Sequence, residues 1–291
     1  MAMRIMKVIL VVATPLLLFI SLIALYFNNQ VNLTTYAQPV IRSAIDVANM
    51  NSLSDWSVIE NELVVIRYHS VDEEEIEMVL EIATDIRKSL DDRYQFHYNK
   101  PVNIVIKPTR EEMREFFGWG ESASAVGVYY GKRIYLLAPS LWVDADSIEQ
   151  LTDKYLKIGP IAHEYTHFII DHKYHNNVPR WYNEAVAQYE EYLYQGFEWI
   201  EPYGRLNQQL YSYQEMQRDF DNLPNQALSY RQGFMFLKYQ IDKYGEEKYW
   251  DFMGKIENRF LFEQAFAQVY GIDISDVWQE WEQHVVANKL R

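Results

Sequence analysis

His163-Glu164-Tyr165-Thr166-His167, and after it Pro179-Arg180-Trp181-Tyr182-Asn183-Glu184-Ala185-Val186-Ala187-Gln188-Tyr189, are the two stretches that decide how this 291-residue chain is organised. A helix brings residues i and i+4 onto one face, so His163 and His167 can aim ring nitrogens at one ion. Glu164 projects beside that pair and can reach a water at the metal without ligating it, the spacing that metal-assisted hydrolysis needs. Ile161, Ala162, Phe168 and Ile169 make the flanks apolar, as in a buried helix, and Gly159-Pro160 gives that helix a fresh start.

A catalytic zinc needs a third protein ligand and an open fourth position. One solution is a histidine six residues after the second, with a glycine before it; Lys173 and Ile170 stand there instead. His172 and His175 are near but off that register. The other solution is a glutamate on a following helix, and Glu184 supplies it, 17 residues after His167. The polar stretch from Asp171 to Val178 is long enough to turn the chain back, and Pro179 starts a helix that can lie antiparallel to the first.

Outward from the motif the chain changes character. Ahead of it, Leu63-Val64-Val65-Ile66 and Val102-Asn103-Ile104-Val105-Ile106 read as strands, and Asp72 to Leu90 as a helix between them. Thr109-Arg110-Glu111-Glu112 opens a short helix through Phe117. Val126–Tyr130 and Arg133–Leu137 flank Gly131-Lys132 as a hairpin. Beyond about residue 145 helical periods dominate. Strands first and helices afterwards predict an α+β fold. Its sheet lobe covers about 59–145 and its helical lobe about 146–291, with the metal motif on the helix at their junction.

At the N-terminus Arg4 and Lys7 precede an uncharged, mostly apolar run from Val8 to Phe27. As a helix rising about 1.5 Å per residue it would span roughly a 30 Å hydrocarbon core. Residues 1–28 are therefore expected to form a signal-anchor, with the N-terminus cytoplasmic and the rest extracytoplasmic. The alternative is secretion after cleavage near Ala37. Residues 29–58 are polar and read as a linker, leaving 59–291 as the folded domain. A net charge of −14 argues against nucleic acid as a partner and against docking on anionic lipid. The absence of cysteine excludes disulfides, thiol nucleophiles and thiolate-bound zinc.

The His163–His167 motif, followed by Pro-Arg-Trp-Tyr-Asn-Glu-Ala-Val-Ala-Gln-Tyr at 179–189, resembles the gluzincin branch of zinc peptidases, and most of all the peptidase-MA-like domains. The resemblance extends loosely from about residue 60 to 285. It implies a zincin-like fold, Zn²⁺ held by His163, His167 and Glu184, and Glu164 acting on zinc-bound water to cleave a peptide or protein substrate. It also implies an oxyanion donor from the helical lobe, for which Tyr230 is the candidate and Arg231 the alternative. Substrate would pair with an edge strand, expected at Arg133–Leu137, which favours endopeptidase action. Two positions depart from the pattern. Ala185 stands where the family has glycine, and Gln188 where related enzymes have an acidic partner for the first histidine. A relative that kept the fold as a catalytically silent binding or sensor domain is the competing expectation, against which the intact Glu164 argues.

Overall fold

The computed structural model describes residues 32–50, 53, 55–121, 125–198 and 204–288. Helix α1 covers Gln38–Met50, after a short 3-10 turn at Leu33–Tyr36, and strand β1 covers Ser57–Glu60. The stretch 29–58, expected as a linker, thus carries a helix and the first two residues of strand β1. Among the described side chains of α1, Ile41 and Ile45 form the apolar stripe, too short to stand out in a polar sequence. The expected anchor, Val8–Phe27, lies outside the described residues. Among those described, no helix is long and apolar enough to cross a membrane.

Strand β2 (Val64–Tyr68), helix α2 (Glu73–Arg93), strand β3 (Val102–Lys107) and helix α3 (Arg110–Phe117) follow, then the hairpin strands β4 (Gly127–Tyr130) and β5 (Arg133–Leu137). Asp72 caps α2 by accepting from Glu74 N, and Thr109 caps α3 by accepting from Glu112 N. Each side-chain oxygen satisfies a donor that the first turn of a helix would otherwise leave open. The hairpin turns at Gly131 and Lys132, whose φ angles of 57° and 73° are those a two-residue turn needs.

The five strands form one mixed sheet in the order β1-β2-β3-β5-β4. β2, β3 and β5 run parallel, while β1 and β4 are antiparallel edges. The edge beside the cleft is therefore β4, and the expected edge strand Arg133–Leu137 is interior, buried at every residue. Sheet alternation then sorts the side chains onto two faces. Ile66, Ile104, Ile106, Ile134 and Leu136 join the main core, whereas Val105 and Tyr135 face a smaller cluster with Met113 of α3.

From α4 (Ile148–Ile158) onward the chain is helical among its described residues: α5 (Ile161–His172), α6 (Arg180–Gln195), α7 (Tyr213–Asp219), α8 (Gln226–Tyr244), α9 (Glu246–Glu257), α10 (Phe262–Tyr270) and α11 (Ile274–Asn288). The fold is α+β, with the sheet on the N-terminal side and a helical C-terminal region. Helix α5 lies between the two, touching α2, β4 and β5 on one side and α6 on the other. Its Phe168, Ile169 and Ile170 are almost fully buried. At about 1.5–3 kcal/mol for each such side chain, this packing fixes the helix rigidly in the junction.

The departure at Ala185 has a structural counterpart. A Cβ on Gly233 of α8 would lie 3.2 Å from the Trp181 carbonyl oxygen and 3.4 Å from the Ala185 methyl. The close approach of α6 and α8 thus uses a glycine on α8, opposite the extra methyl on α6.

Candidate metal centre and cleft

Two helices supply the converging side chains. On α5, His163 and His167 stand one turn apart with ring centroids 4.8 Å from each other. On α6, Glu184 faces both, its Oε2 3.2 Å from His163 Nε2 and its Oε1 3.4 Å from His167 Nε2. One donor atom from each of the three lies within 4.8 Å of the others. His172 and His175 are outside this cluster. His172 stacks on Phe168 at 3.9 Å with Nδ1 against the Phe168 carbonyl oxygen, and burial pushes its pKa down to about 3.

The other ring nitrogens of the two histidines are engaged. His167 Nδ1 lies 2.8 Å from Asn183 Oδ1, and Asn183 Nδ2 in turn donates to Asn176 Oδ1 at 3.1 Å. An amide oxygen can only accept, so His167 carries its proton on Nδ1 and presents a free lone pair at Nε2. Burial, reinforced by the neighbouring His163, pushes the His167 pKa down to about 4, which keeps the ring neutral near pH 7. His163 Nδ1 lies 3.4 Å from Glu191 Oε2. Burial acts to lower His163 as well, but the Glu191 carboxylate together with Glu164 outweighs it and holds that imidazole above its ordinary value. Glu191 is the acidic neighbour that the sequence pattern placed at Gln188. It sits seven residues after Glu184, two helical turns on and on the same face. Gln188 lines the cleft with its Nε2 buried and unpartnered.

Glu164 is 7% exposed and leaves the metal cluster free, its Oε2 accepting from the backbone N–H of Tyr129 in β4 at 2.6 Å. That contact depends on Gly127, because a Cβ there would fall 2.8 Å from Pro160 and 3.0 Å from Glu164 Cγ. Arg180, one turn before Glu184, pairs with the Glu184 carboxylate and reaches Asp221 at 3.3 Å.

A cleft of about 920 Å³ runs between β4 and the helical lobe, with His163, Glu164, His167 and Glu184 in its wall. Tyr230 of α8 lines the same cleft, and burial raises its phenol above the ordinary value. Arg231 is turned elsewhere, paired with Glu198 at 2.6 Å. The donor set suits a divalent metal that accepts nitrogen and oxygen ligands: two imidazole Nε2 atoms and one carboxylate, with both Nδ1 atoms occupied.

Comparison with known families gives a match to the peptidase MA superfamily over residues 90–287, which includes α5, α6 and the whole helical region. No curated protein matches the chain.

Proposed function

The chain belongs to the peptidase MA superfamily, and from that membership we propose that it is a zinc-dependent peptidase of the gluzincin type, cleaving internal bonds of peptides or proteins. The observation that carries this reading is the joint geometry of α5 and α6. Three donors converge, and a separate carboxylate on the same helix is held over the cleft. Zinc, when held by His163, His167 and Glu184, supplies Lewis-acid polarisation of the scissile carbonyl and of the attacking water.

The remaining work falls to the protein. Glu164 takes a proton from the attacking water and returns it to the departing amine. Its hydrogen bond from Tyr129 N keeps one carboxylate oxygen occupied and the other free for that transfer. Asn183 and Glu191 hold the two imidazoles in the tautomer and orientation that leave Nε2 available. The Tyr230 hydroxyl, on the far wall of the cleft, is assigned as donor to the developing oxyanion. Membership of the family supports peptide substrates; the choice of zinc rests on the ligand types and their number.

We further assign the protein to the outer face of a membrane, single-pass and with its N-terminus cytoplasmic, from the Arg4, Lys7 and Val8–Phe27 pattern. Metal analysis tests the centre directly. The purified full chain should hold one zinc per molecule, and Glu184→Ala should lose it. Zinc content unchanged in Glu184→Ala would overturn the ligand assignment.

A further inference from the structure

The segment from Asn32 to Asp46 crosses from one lobe to the other. At its start Asn32 N donates to the Arg259 carbonyl oxygen at 2.6 Å, Asn32 Nδ2 donates to Asn177 Oδ1 at 2.8 Å, and Tyr36 lies under the Arg259 guanidinium. These anchors belong to the helical lobe. At its other end Lys132 Nζ donates to Ser43 Oγ at 3.0 Å, and Arg133 pairs with Asp46 at 2.9 Å. Those anchors belong to the β4–β5 hairpin. Midway, Arg42 reaches the C-terminal end of α5, donating to the Asp171 carbonyl oxygen at 2.8 Å and pairing with its carboxylate at 3.2 Å.

Along α1, Gln38, Ile41, Arg42 and Ile45 all line the cleft. Their spacing of i, i+3, i+4 and i+7 is one helical face, so α1 presents a wall to the space beside β4. The register of β4 shows which end this closes. Leu137 N donates to the Val126 carbonyl oxygen, so the backbone groups of Gly127 and Tyr129 point away from β5 and towards the cleft. Tyr129 is level with Glu164, and the hairpin turn at Gly131 comes two residues later, roughly 7 Å on. A peptide laid along β4 therefore meets the hairpin tip and α1 within about two residues on that side of the reacting bond.

We propose that α1 is a releasable strap that sets the substrate length the cleft accepts: docked, it admits only chains that end within the cleft, and cleavage inside a long chain requires the Arg42–Asp171 tie to open. This rests on the peptidase reading above and adds a constraint to it. Release is favoured by the tie's own chemistry. Arg42 Nε and Arg133 Nε are both buried without a hydrogen-bond partner, so the docked state leaves two donors unsatisfied. The strap also keeps Val40 and Ile41 largely exposed, so little apolar burial holds it down.

The test uses the zinc-loaded full chain and two quenched fluorescent peptide series. Both start from a peptide ending two residues from the cut site, one series lengthened at the N-terminus and the other at the C-terminus. For wild type, kcat/KM should fall at least tenfold as one series lengthens and stay level in the other. Arg42→Ala should abolish that fall. Because the chain has no cysteine, Ser43→Cys with Lys132→Cys, bridged by a bifunctional maleimide, can pin the strap; this should deepen the fall. The same peptides are titrated onto Glu164→Gln, alone and with Arg42→Ala, with fluorescence anisotropy as the readout. The length penalty should appear in Kd and vanish with Arg42→Ala. Equal cleavage and equal binding of short and long members by wild type would overturn the strap. A length penalty in binding with no cleavage of any peptide would leave the strap standing and remove the peptidase reading.

Discussion

Glu191 holds His163 from the side opposite the metal cluster, while Asn183 does the same for His167. The two partners differ in kind. An amide fixes a tautomer, whereas a carboxylate also raises the basicity of the ring it touches. Glu191→Gln should therefore weaken zinc binding by about 10–100-fold while leaving the fold intact, read by competition with a chromogenic chelator and by circular dichroism. Adding Gln188→Glu should recover part of that loss, since the cleft face of α6 would again carry a carboxylate near His163. An unchanged zinc affinity in Glu191→Gln would show that the 3.4 Å contact does not act on the metal site. The residues assigned to chemistry above stood out in the sequence because His163, Glu164 and His167 share one helical spacing and Glu184 follows on the next helix. Glu191 was not. Its distance of seven residues from Glu184 also places it on that face, but the family pattern drew attention to the position one turn after the ligand.

Strand β4 and helix α5 touch through a glycine, which makes their spacing a property of both elements. With Gly127→Ala the new methyl would meet Pro160 at 2.8 Å, a distance real atoms do not adopt, and crowd Glu164 at 3.0 Å, so β4 must move off α5. The expected outcome is stoichiometric zinc, a kcat reduced about 10–100-fold through misplacement of Glu164, and a stability loss of about 1–3 kcal/mol. Steady-state kinetics with zinc analysis checks the first two and thermal unfolding the third. Full activity would mean that Glu164 is not positioned by the edge strand. The identity of that edge was not fixed by the hairpin sequence, because strand order is decided by pairing with β3. A local sign was present all the same. Ile134-Tyr135-Leu136-Leu137 is rich in Ile and Leu, as interior parallel strands are, while Gly127-Val128-Tyr129-Tyr130 has neither. Helix α1 was hidden for a different reason: its isoleucines face a cleft whose lining residues outside the helix are all far along the chain, from Trp119 onward.

At the scale of the molecule, the two lobes meet along α5, and the His163, His167 and Glu184 cluster sits where the sheet ends and the helices begin. That division was legible, since strand signals cease near residue 145 and the family match covers both the later strands and all helices after α2. What could not be read was the return of the N-terminal segment over the cleft, because no local pattern records a contact such as Arg42 with Asp171. In the proposed site α5 carries two metal ligands and the proton carrier, α6 carries the third ligand, and β4 forms the edge of the groove. Loss of one function should then leave the others measurable. Glu164→Gln tests this most directly: hydrolysis of a peptide mixture by the zinc-loaded full chain, followed by mass spectrometry and compared with wild type at equal zinc content. The expected result is unaltered zinc stoichiometry with cleavage reduced by about 10²–10⁴-fold. Cleavage at the wild-type rate by Glu164→Gln would contradict it.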